Sequence, residues 1–169
     1  MSARHRIVWR AVATLIAAST VAFVAQAQLG RSGDARVRKV IEAIGWKYEV
    51  DSDGDYKMVF RFDDERTQLV YANSQTVELG NMEIREVWAP GFRLPADASA
   101  DLLLNLLRDN NRVKVGAWRV IKSGDDLVAV FTAQIAADAD KDTFQNVVQA
   151  VSTTADEKEK AITDGKDDF

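Results

Sequence analysis

Apolar residues recur along this chain with two different periods, and the switches between them mark out its elements. Val37, Val40, Ile41 and Ile44 follow the i, i+3, i+4, i+7 spacing of one helical face, with Asp34 placed to cap the start and Gly45 to stop it. The period then falls to two: Trp46, Tyr48 and Val50 alternate. Beyond a polar turn at 51–55, Tyr56, Met58, Phe60 and Phe62 share one face of a strand, with Lys57, Val59 and Arg61 on the other. A third strand is predicted over 67–72, broken by Asn73-Ser74. A fourth, edge-like one covers 77–87, interrupted near Gly80-Asn81. Trp88-Ala89-Pro90-Gly91-Phe92 reads as a loop.

The densest apolar stretch follows. Leu102, Leu103, Leu104, Leu106 and Leu107 cover most of a helix circumference, which predicts burial on more than one side. Asp97 or Ser99 can cap this helix, and Asp109-Asn110-Asn111 stops it, because these side chains compete for the backbone. Val113, Val115, Trp118 and Val120 continue as a strand whose phase changes at Gly116-Ala117, the mark of a bulge. After a turn at 123–126, residues 127–131 are apolar on both parities, as expected of a central strand covered on both faces. Phe144, Val147, Val148 and Val151 define a last amphipathic helix, and the charges at 156–160 read as its solvated, fraying end. This order predicts an α+β domain: a mainly antiparallel sheet of five to six strands with three helices, α-β-β-β(-β)-α-β-β-α.

The N-terminus belongs to a different class. Arg4, His5, Arg6 and Arg10 precede an uncharged run from Ala11, and Ala25-Gln26-Ala27 has the form of a signal-peptidase site. Residues 1–27 are therefore expected to be a signal peptide cleaved after Ala27, leaving a periplasmic or secreted protein with no membrane insertion. The alternative is an uncleaved anchor in the inner membrane. Residues 28–33 read as a linker, 34–162 as the domain and 163–169 as a disordered tail.

Composition narrows the chemistry. There is no cysteine, and the single histidine, His5, lies in the predicted signal peptide. The chain from Gln28 thus lacks the residues for Ser-His-Asp or Cys-His nucleophiles and for histidine or thiolate metal sites; no metal, cofactor or catalytic residue is expected. Residues 1–27 carry three arginines and no acid, so the remainder holds 19 basic (22 less three) against 26 acidic residues, a net charge of −7. That balance argues against a nucleic-acid partner.

Several passages together carry a resemblance. The helix ending at Ile44-Gly45, the strand Trp46-Lys47-Tyr48-Glu49-Val50 with its acidic turn, the run Leu102–Asn111 and Gly116-Ala117-Trp118 resemble the YbjN-domain family of bacterial proteins. The resemblance extends over roughly 34–162, and its most specific part is the helix–Asn–Asn–strand passage. It implies a fold like that of type III secretion chaperones and offers no catalytic residue to carry over. Members are labelled sensory-transduction regulators. A signal peptide sets this chain apart from the usual cytoplasmic member.

Two constellations are better read as structure than as chemistry. In residues 51–55 the glycine is fourth, not sixth as a calcium loop requires, so a hairpin turn is expected. Glu83 and Glu86 fall on opposite faces of a strand and do not converge as an acid–base pair. The expected function is noncatalytic protein binding, chaperone-like or regulatory, to a protein partner or by self-association, with a homodimer as one form. A small-ligand-binding periplasmic domain is the alternative. Val128 and Val130, on the second parity of the last strand, with Val59 on the same face and the loop aromatics Trp88 and Phe92, form the expected docking surface.

Overall fold

The computed structural model describes residues 32–62 and 65–169, so the predicted signal peptide lies outside the described residues. The elements are α1 (Ala35–Ile44), β1 (Glu49–Val50), β2 (Tyr56–Arg61), β3 (Thr67–Leu79), β4 (Met82–Arg93), α2 (Ala100–Asn110), β5 (Ala117–Ser123), β6 (Asp126–Ala136) and α3 (Lys141–Ile162). The six strands form one antiparallel sheet in the order β1-β2-β3-β4-β6-β5. The predicted α+β order and strand count hold.

The helix ends follow the sequence signals. Asp34 Oδ1 accepts the Arg36 N–H at the start of α1, and the Gly45 N–H closes its end on the carbonyls of Ile41 and Glu42. Ser99, one of the two predicted caps, starts α2, and Asp140 starts α3. Asn110 ends α2 by accepting the Trp118 N–H at 2.6 Å, which ties the helix to β5.

One face of the sheet carries the core. Met58, Val70, Val87, Ala89, Phe131 and Ala133 are buried there beneath Phe144, Val147, Val148 and Val151 of α3. Each of the α3 side chains contributes about 1.5–3 kcal/mol by leaving water. Helix α3 runs through the charge run to Ile162, and that run is not the frayed, solvated end expected. Asp156 and Glu159 turn inward, where Arg66 Nε meets Asp156 at 2.7 Å and Arg66 Nη2 meets Glu159 at 2.6 Å. The charge run is thus half inside, because Asp156 and Glu159, three residues apart, share the inner helical face while Glu157 and Lys160 fall on the outer one. The tail is not free of contacts either: Arg66 donates to the Gly165 and Lys166 carbonyls, and Asp167 accepts the Thr67 N–H.

The middle of the chain departs most from expectation. The third and fourth strands are one long hairpin: β3 continues through Asn73-Ser74 with a register shift between Ala72 and Thr76, and Gly80-Asn81 is its two-residue turn. Gly80 at φ 63° supplies the first central position of such a turn. Residues 88–92 belong to β4, which over most of its length is an inner strand between β3 and β6. A proline there is unusual because it has no N–H to give. The ladder adapts: the register with β6 slips between Pro90 and Phe92, and the buried Gln68 donates its side-chain amide to the Pro90 carbonyl at 2.7 Å. A Cβ on Gly91 would lie 2.7 Å from the Trp118 ring, so only glycine allows that close approach.

Candidate protein-docking surface

Three features of the molecule offer a surface or a cavity, and each grows from a local conflict in the chain. The first is α2. It rests on β5, the last strand of the sheet, and so has a floor on one side only. Leu106 takes that floor at 4% exposure, and Leu102 is half-buried. Leu103, Leu104 and Leu107 face solvent, with Leu107 62% exposed. Multiple-sided burial, expected from the leucine density, is therefore not what the fold provides, because among the described residues no element covers the outer side of α2. Three exposed leucines within two turns are a contiguous apolar face of the kind that marks interaction sites.

The second is the outer part of the β3–β4 hairpin. Beyond Ala72 the register with β2 ends, and β6 accompanies β4 only as far as Ile84. The remaining ribbon presents Val77, Leu79 and Met82 on the face away from the helices, all more than half exposed. Its other face is polar and anchored to α1. Arg36 bridges Asp34 and Glu83, each at 2.7 Å, and the buried Arg85 meets Asp34 at 2.6 Å. The Arg36 and Thr76 hydrogen bonds lower the Glu83 carboxyl to about 2. Burial pushes Asp34 up, but the bonds from Arg36 and Arg85 outweigh it and hold the carboxyl well below the usual range.

The third is a half-open cavity of about 320 Å³ between α1 and the β6–α3 connection. Val37, Val40, Ile135 and Phe144 make its apolar wall, and Lys39 and Lys141 stand at its lining.

The residues expected to form the docking strip do not act together. Phe92 is 1% exposed and packs at 6.3 Å (ring centroids) from Trp118; it is core, because Pro90-Gly91-Phe92 is strand rather than loop. Val128 and Val130 do point away from the helices, as their parity requires, yet both are buried. Arg119 on β5 and Glu86 on β4 join at 2.6 Å across the intervening β6, while Val130 lies between Pro90 and Arg119 and Val128 between Arg93 and Ile121. Arg93 beside Val128 carries the Phe169 ring at 4.7 Å, which brings the C-terminus to the same end of the sheet. Val59 is exposed, and Trp88 is half-buried and stacked on Tyr71 at 4.5 Å. The α2 leucines and the hairpin residues were missed as surface. Leucine density favours burial in any reading of sequence, and the hairpin is visible only once Gly80-Asn81 is recognised as a turn.

The turn at 51–55 uses its acids internally: Asp51 Oδ1 accepts the Asp53 and Asp55 N–H groups, and Asp55 Oδ1 accepts that of Ser74. Glu83 and Glu86 lie on opposite faces, each paired with its own arginine.

Residues 34–163 match the model of the YbjN family, described as "Putative bacterial sensory transduction regulator". The crystal structure of YbjN from E. coli is similar, with a TM-score of 0.48 and 12% identity over 76% of this chain and 89% of that one. None of the curated proteins matches. The family match spans most of the chain and the whole of the sheet with its three helices, and the chain belongs to the YbjN family.

Proposed function

We propose that this chain is a noncatalytic, extracytoplasmic protein-binding module, acting as a regulator or chaperone through its surface. The observation that carries the reading is α2: a capped, ordered helix with five leucines, of which one is fully buried and three face water. Such a face costs solubility unless something binds it. The N-terminal basic–apolar–AQA order supports a location outside the cytoplasm.

A photo-crosslinking residue placed at Leu107 tests the binding face. In the periplasm it is expected to give discrete protein adducts that the same probe at exposed Lys47 does not. Equal labelling at both positions overturns the assignment. For location, N-terminal sequencing of the protein from cells should begin at Gln28; retention of residues 1–27 overturns cleavage.

The cavity of about 320 Å³ beside α1 favours a second reading, a small-ligand site for an apolar molecule with an anionic end facing Lys39 and Lys141. Binding of a medium-chain fatty acid, followed by calorimetry and abolished by Val40→Asp, separates it from the first.

A further inference from the structure

The hairpin that carries Val77 also has an open edge. β2 accompanies β3 only to Ala72, and the turn at 51–55 then covers Ser74, whose N–H donates to Asp55 and whose hydroxyl donates to the Gly54 carbonyl. From Gln75 to Leu79 no described element lies along the strand's edge opposite β4. The two-residue turn makes Leu79 and Met82 the closing pair that exchanges main-chain bonds within the hairpin. Alternation then gives Val77 and Ile84 the next such pair, and leaves the N–H and C=O groups of Thr76 and Glu78 pointing outward.

Natural edges are usually guarded by lysine, proline or a bulge. Gln75-Thr76-Val77-Glu78-Leu79 has no lysine and no proline, its one charge is Glu78, and its register is regular from Thr76 onward.

We propose that this edge pairs with the same edge of a second copy, antiparallel about a two-fold axis at Val77. The register follows from the outward groups. With Val77 opposite its own mate, Thr76 faces Glu78 of the other copy on both sides of the axis. These are the residues whose main chains point outward, so four inter-chain bonds form. Moving the axis to Glu78 would set two glutamates directly opposite, a like-charge pair. The Val77 register spans the five open positions and stops where the Gly80-Asn81 turn of one copy meets the 51–55 turn of the other. On the helix-free face, Val77 and Leu79 of both copies come side by side and, with Met82, form one continuous apolar strip across the joined sheet.

The absence of cysteine makes the test direct. A two-fold non-hydrogen-bonded pair brings Cα atoms to about 4.5 Å, within disulfide reach. Under oxidation the chain from Gln28 carrying Val77→Cys should form a disulfide dimer, and Leu79→Cys, opposite Gln75, should not. Glu78→Pro removes only an outward N–H, so it should weaken dimerisation in sedimentation at least tenfold while leaving the circular-dichroism spectrum and Tm of the monomer in place. A wild-type chain that sediments as a monomer at all concentrations overturns the proposal. So does cross-linking by both cysteine variants or by neither, or a dimer that survives Glu78→Pro and is lost with Leu107→Ser.

Discussion

Helices α3 and α2 make opposite use of their apolar faces. α3 lies over β3, β4 and β6 and buries Phe144, Val147, Val148, Val151 and Ala155 against them. α2 has more leucines in half the length and buries one of them, because among the described elements it rests chiefly on the terminal strand β5. Apolar density measures how much surface a helix could bury. The position of the helix over the sheet decides how much it does bury. The surplus on α2 is what a partner can use.

Breaking the α3 side should cost most. Arg66→Ala leaves Asp156 and Glu159 buried without their counter-charge, and the expected loss is about 3–5 kcal/mol, read as a fall in urea midpoint. On α2, the buried anchor comes next: Leu106→Ala should cost about 2–5 kcal/mol, the range for a leucine cavity.

Helix α1, between these extremes, buries Val37 and Ile41 and is pinned by charge. Glu83 is held at about 2, below its ordinary 4.5, so its contribution is full above pH 4.5 and disappears as pH falls toward 2. Asp34 is lowered likewise, so its contribution is also lost in acid. The stability gap between wild type and Glu83→Gln should be widest at pH 6 and narrow steadily on acidification. A gap independent of pH would remove the carboxylate from the account. Glu159 runs the other way: burial raises its carboxyl, so that group favours the fold in acid and loses its contribution as pH rises through its raised value.

The smallest effect sharpens the comparison most. Leu107→Ser should change stability by no more than about 0.5 kcal/mol, since the side chain is largely in water already. If it lowers the Tm as much as Leu106→Ala does, α2 is core on both sides and the docking surface is lost.

The sequence by itself determined the local steps. Period-2 and period-3.6 runs placed the helices and most strands, and Asp34, Ser99 and Gly45 marked helix ends, because capping and alternation act over a few residues. It also determined the inner position of β6, where 128–131 are buried although Leu127 is 48% exposed. Tertiary structure alone decided which apolar residues are covered. Phe92 went inside because a bulge at Gly91 carries β4 through the predicted loop. Val128 and Val130 are buried on the helix-free face between cross-strand neighbours, Arg93 and Ile121 for the first and Pro90 and Arg119 for the second, which only the strand order brings alongside. Leu107 stayed outside because the sheet ends at β5. Burial depends on what the rest of the chain places alongside, and that is a long-range property which no window of neighbouring residues contains.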